Sequence, residues 1–131
     1  MSTLTLTQVG PVAFEVKTDH WSLRIDLPIA KGGTQTGPTP TELTAIALAA
    51  CKAISVARWS QNKNLDLPKF TAEVTYQMAD APRRIAEMDV QFKDVKAHIP
   101  PDLLPRLDAA VEACTVATSF MHPPKISHQL G

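Results

Sequence analysis

Polar and apolar residues alternate through the first part of the chain: Leu4 and Leu6, then Val12, Phe14 and Val16, then Trp21, Leu23, Ile25 and Leu27. A period of two puts every second side chain on one face of a strand, so the pattern predicts three antiparallel strands. Gly10-Pro11 and Thr18-Asp19-His20 supply the turns, and Pro28 closes the third strand. Lys31-Gly32-Gly33-Thr34-Gln35-Thr36-Gly37 then reads as a mobile loop that leads into a helix.

From Thr39 the period becomes helical. Thr39-Pro40-Thr41-Glu42 is a helix start: threonine caps, proline suits the first helical position, and glutamate bonds back to the cap amide. Leu43, Ile46, Ala47, Ala50, Cys51 and Ile54 recur at i, i+3, i+4, and Ala45, Leu48, Ala49 and Ala53 make much of the remaining circumference apolar. Such a helix is predicted to be buried nearly all round. In a small domain either its own elements sandwich both faces or a second subunit covers one, and a homodimer is expected.

Past Asn62-Lys63-Asn64, alternation returns at Phe70, Ala72, Val74, Tyr76 and Met78, and again at Ile85, Met88, Val90 and Phe92, which predicts a hairpin turning at Asp80-Ala81-Pro82. A second helix is expected after Pro100-Pro101-Asp102, with Leu103, Leu104, Leu107, Ala110, Val111 and Cys114 on one face. Thr115 to Met121 adds one or two turns before Pro123-Pro124, and Lys125 to Leu130 reads as a last strand.

With 131 residues, 44% hydrophobic and 20% charged, the chain suits a single domain over residues 1–131 of class α+β. Thirteen basic residues balance thirteen acidic ones, so no electrostatic footprint points to nucleic acid or an anionic membrane. The start MSTLTLTQVG lacks the pattern of a secretory leader and no eighteen apolar residues run together, so a cytoplasmic location is expected. In that compartment two cysteines are expected as free or redox-cycling thiols. The four histidines, at 20, 98, 122 and 128, are scattered, which argues against a metal site; His122 is a loop residue that could approach Cys114 through a turn.

The order βββ, apolar helix with a cysteine, ββ, helix with a second cysteine, final strand resembles the OsmC/Ohr family of bacterial hydroperoxide-reducing proteins. GPTPTELTAIALAAC, residues 37–51, resembles that family's glycine, proline, acidic-residue and alanine-rich helix ending in cysteine. EACTVATSF followed by PPKI resembles its second-cysteine segment. The resemblance implies an OsmC-like fold with an N-terminal three-stranded sheet, a buried central helix and an intertwined homodimer with sites at the subunit interface. It also implies that Cys51 attacks a small hydrophobic hydroperoxide and Cys114 resolves the product, with no cofactor and an external dithiol as reductant.

The sequence departs from that pattern where the thiolate is activated. Peroxidase members place a glutamate ten positions before the first cysteine, where this chain has Thr41, and use an arginine from the N-terminal sheet. Glu42 is nine positions before Cys51, which at about 100° per residue turns it roughly 180° away, so it reads as the capping-box partner of Thr39, with activation of Cys51 as the alternative. Arg24 is the first arginine in the chain and lies on the outward parity of its strand; Arg58 shares the Cys51 face but stands roughly 10 Å further along the axis. Burial among alanine and leucine disfavours a thiolate and a nearby cation favours it, so slow turnover is expected. Two readings result: a cysteine-dependent reductase of organic hydroperoxides, or a non-catalytic dimer that binds a small hydrophobic ligand in its interface cleft.

Overall fold

A computed structural model describes residues 1–131, which divide into two compact units, Met1–Thr44 and Ala45–Gly131, with one helix running through the boundary. In the first unit β1 (Leu6–Gln8), β2 (Phe14–Lys17) and β3 (Ser22–Ile25) form an antiparallel sheet in the order β1-β2-β3. The registers Leu6↔Val16 and Val16↔Leu23 align the alternating apolar positions across all three strands, and the predicted meander is formed. Val16 of β2 and Ala13 just before it are buried.

After β3 the chain is organised by a carboxylate. Asp26 is 1% exposed, and its side chain accepts five hydrogen bonds. Oδ1 accepts from the Leu27 N–H at 2.7 Å, and Oδ2 accepts from the N–H and the hydroxyl of both Thr34 and Thr36, the hydroxyls at 2.6 and 2.8 Å. Donors on this scale favour the ionised form. The Thr34 hydroxyl first, with the Leu27 and Thr36 donors, outweighs burial and holds the Asp26 carboxyl well below the usual carboxylate range.

The loop from Leu27 to Pro38 is therefore tied down, not the mobile segment its glycines suggest. Those glycines allow close approach: a Cβ on Gly33 would overlap the Leu27 carbonyl and crowd Asp26 Oδ1, and one on Gly37 would overlap the Arg24 carbonyl. A short 3-10 turn, Ile29–Lys31, ends at Gly32, whose φ of 87° suits glycine.

Helix α1 (Pro40–Asn62) opens with the predicted capping box: the Glu42 N–H donates to Thr39 Oγ1 at 3.0 Å, and the Thr39 N–H donates to Glu42 Oε1 at 3.1 Å. In the second unit β4 (Thr71–Ala79) and β5 (Arg84–Lys93) form the expected hairpin, turning through Asp80 to Arg83 with a cis Ala81–Pro82 peptide. An irregularity at Gln77/Met78 pairs Met78 with Ile85 and Gln77 with Glu87, which is why the apolar parity of β5 changes between Ile85 and Met88. Helices α2 (Leu104–Glu112) and α3 (Thr115–Met121) come next.

The core of this unit is Val56, Val95, Ile99 and Leu107, with Trp59, Phe70, Phe92, Leu104 and Val111 packed against it. By length and composition α1 could cross a membrane, a test that core helices of soluble proteins also pass; Ala45, Leu48, Ala49, Val56 and Ser60 along it are buried within the chain.

Three expectations are corrected. Within the chain α1 is buried on one side only: Ile46 and Ile54 are 47% and 58% exposed, and Ala47 and Ala50 beside them are exposed. Cys114 does not continue the α2 stripe, because α2 ends at Glu112 and Cys114 takes the extended conformation that starts α3. Lys125 to Leu130 is an exposed extended tail that pairs with no strand.

Asp26→Asn replaces one acceptor oxygen with a donor facing other donors, and it should lower the Tm by on the order of 5 °C. Because the folded carboxyl titrates below its ordinary value of 3.8, its stabilisation is complete above that pH and is lost as pH falls towards the folded value. Thermal melts from pH 7 to pH 2 should show an acid-side loss below about pH 4 that is weaker in Asp26→Asn; identical acid limbs would contradict the ionised clasp. In urea melts, Val56→Ala should cost about 2 kcal/mol, since Val56 is 1% exposed in the centre of the second core.

Candidate functional site

On the surface of α1, Ile46, Ala47, Ala50 and Ile54 make one exposed apolar stripe, and Ala45, Leu48, Ala49 and Val56 make the buried side. At about 100° per residue Cys51 lies on the shoulder between them. Its thiol is half-buried and free, and its carbonyl accepts from the Ser55 hydroxyl at 2.9 Å. The sequence thus sets a thiol at the edge of the open face, where a molecule seated on the stripe can reach it.

Cys114 is 3% exposed and also free. It is the N-cap of α3, with φ −62° and ψ 143°, and its sulfur accepts from the Ala117 N–H at 3.4 Å. The two cysteine-bearing elements are joined by a residue the sequence pattern did not single out. Lys52, next to Cys51, is half-buried on the packed side of α1 and donates from Nζ to the Val111 carbonyl at 3.1 Å, three residues before Cys114. Its signal in the sequence is its isolation, as the lone charge between Glu42 and Arg58.

The expected activating groups have local partners or none. Arg24 pairs with Glu15, opposite it across β2 and β3, at 3.7 Å. Glu42 is engaged with the Thr39 N–H. Arg58 is exposed and enters no ion pair. His122 ends α3 where Cys114 begins it, about 12 Å along the axis, so α3 separates the two. No three His, Cys, Asp or Glu residues lie close enough to hold a metal ion. An apolar hollow of about 480 Å³ opens among Val56, Phe92, Val95, Leu104, Leu107 and Val111, with Lys96 and Asp108 at its walls, but neither cysteine lines it.

Asp26 was missed as well. Its position between Ile25 and Leu27, on the polar parity of the third strand's pattern, gives no sign of burial, and only Thr34 and Thr36 at alternate positions of a polar loop hint at a common acceptor.

Among solved structures, the chain is similar to a protein from Psychrobacter arcticus named for osmotic stress induction and a detoxification response, with 25% identity over 91% of this chain and 88% of that one and a TM-score of 0.80. It has the fold of an OsmC-like protein from Mycoplasma pneumoniae, with 15% identity over 92% and 87% of the two chains and a TM-score of 0.71. The organic hydroperoxide resistance protein OhrB of Bacillus subtilis also shares the fold, with 20% identity over 93% of each chain and a TM-score of 0.54. Comparison with curated proteins finds no match. The family model described as OsmC-like protein matches residues 32–129, a span that takes in the end of the Asp26-bound loop, α1 with Cys51, the hairpin and the corner with Cys114, and the chain therefore belongs to the OsmC-like protein family.

Proposed function

We propose that the protein is a cytoplasmic, homodimeric, cysteine-dependent reductase of organic hydroperoxides, in which Cys51 attacks and Cys114 resolves. The observation that carries this reading is the pair of free thiols: one half-buried at the shoulder of an open apolar face, the other buried at a corner bonded to the same helix through Lys52. Kinship with organic hydroperoxide resistance proteins supports it.

The Cys51 thiolate attacks the terminal oxygen of a hydroperoxide. An S–O bond forms as the O–O bond breaks, the alkoxide leaves and takes up a proton as the alcohol, and the sulfur, now a sulfenic acid, has lost two electrons. The Cys114 sulfur then attacks Cys51, hydroxide leaves with the Cys114 proton as water, and a disulfide remains. An external dithiol returns two electrons and two protons by two exchange steps. Ala47 and Ile54, the stripe residues four before and three after Cys51, favour an alkyl or lipid hydroperoxide over hydrogen peroxide. Since Arg24 and Glu42 are held by Glu15 and Thr39, the chain offers Cys51 no ready ion-pair partner from these two residues, and turnover is slow.

Cumene hydroperoxide in stoichiometric amount should convert both thiols to a Cys51–Cys114 disulfide, seen by mass spectrometry of non-reduced peptides. Cys51→Ser should lower peroxide consumption at least roughly 100-fold, and Cys114→Ser should leave a sulfenic acid that dimedone traps. Two thiols that persist while an apolar fluorescent probe binds would support the ligand-binding reading instead. Sedimentation at micromolar concentration should give a dimer, with Ile54→Arg shifting it to monomer because the charge enters the covered stripe. A well-folded wild-type monomer would contradict the interface site.

A further inference from the structure

Lys52 occupies an uncommon position for an ammonium group. It sits on the buried side of α1 among Leu48, Ala49 and Val56, and no carboxylate pairs with it. Its hydrogen-bond partner is the Val111 carbonyl at 3.1 Å, in the last turn of α2. A helix C-terminus presents unpaired carbonyls and partial negative charge, so a cation there satisfies the helix end and is itself partly neutralised.

The same carbonyl also accepts from the Cys114 N–H at 3.4 Å. One oxygen therefore holds the neighbour of Cys51 on one side and the backbone of Cys114 on the other. Beyond it, the Cys114 sulfur is turned toward α3 by the Ala117 N–H. The α2–α3 corner has few other polar anchors to α1, since Lys52 supplies the side-chain hydrogen bond that spans 59 residues between them.

We infer that Lys52 is a positioning residue for disulfide closure: by holding the Val111 carbonyl against α1, it keeps the Cys114 corner in register with the helix that carries Cys51. The inference rests on the two-cysteine reading above and concerns its second step, the attack of the Cys114 sulfur on the oxidised Cys51. Lys52 touches neither the hydroperoxide nor the reacting sulfurs. It acts through the backbone of residues 111–114.

The test separates the two steps. Attack on Cys51 is followed by dimedone trapping after a pulse of cumene hydroperoxide in a Cys114→Ser background, and closure by mass spectrometry of quenched samples with both cysteines present. Lys52→Met should leave the attack rate within about twofold, slow closure at least roughly tenfold, and let sulfenic acid accumulate; Lys52→Arg, which keeps a cationic donor, should restore closure to within about threefold. A loss of general packing would slow both steps together and would not be rescued in this selective way. Should Lys52→Met fail to fold, Lys52→Gln, with a shorter neutral donor, carries the same comparison.

Diamide, which couples two nearby thiols while being reduced to the hydrazine, reads closure without any peroxide step. If cumene hydroperoxide oxidises neither thiol yet diamide closes wild type at least roughly tenfold faster than Lys52→Met, the peroxidase reading fails and the role of Lys52 stands. Equal closure rates in wild type and Lys52→Met, or a wild type that diamide does not close, would overturn the inference.

Discussion

Helix α1 is apolar on two sides, and the chain itself covers one of them. On the packed side Val56 meets Val95, Ile99 and Leu107, and the second unit is assembled around that contact. The hairpin, two short 3-10 turns at Lys96–His98 and Pro101–Leu103, and α2 supply or flank the residues that close over it. The opposite stripe of Ile46, Ala47, Ala50 and Ile54 stays open. Apolar area left in water forgoes roughly 25 cal/mol per Å², so this stripe keeps a driving force for association. Cys51 lies on the border of those two sides, next in sequence to the lysine that belongs to the packed one.

The entry to that helix is fixed by a different kind of force. A buried carboxylate is costly when donors are missing, and Asp26 has five. Its threonine donors fold residues 27–38 back on the end of β3, and the Asp26 N–H donates to the Pro38 carbonyl at 3.1 Å, so the loop leads without slack to Thr39 and the capping box. Polar chemistry thus organises the first unit, while apolar packing organises the second.

The chemistry at the thiols is shaped by where the charges are already committed. Arg24 and Glu42, the nearest candidates in this chain for the activating arginine and glutamate of the family resemblance, are bound to Glu15 and Thr39. The cation beside Cys51 in sequence is directed to the far side of the helix and onto the end of α2. Each of these charges is therefore committed to a local or packing partner: Arg24 to Glu15, Glu42 to the Thr39 N–H and Lys52 to the Val111 carbonyl.

The sequence alone determined the elements whose cause is local. Alternation set β1 to β3 and the β4–β5 hairpin, because a period of two is a property of the strand itself. Thr39 to Glu42 set the start of α1, because a capping box closes within four residues. The family, too, was legible from the cysteine segments. Tertiary structure decided what depends on distant partners. Asp26 is a polar letter after a strand until Thr34 and Thr36 fold over it, and Lys52 is a stray charge until Val111, 59 residues on, supplies its acceptor. The end of α2 before Cys114 escaped a reading by period, since the apolar stripe continues through a residue whose backbone has already turned to begin the next helix. Which side of α1 the chain itself buries was not legible for the same reason: composition tells how much surface asks to be covered, and only the packed chain tells which side it can cover.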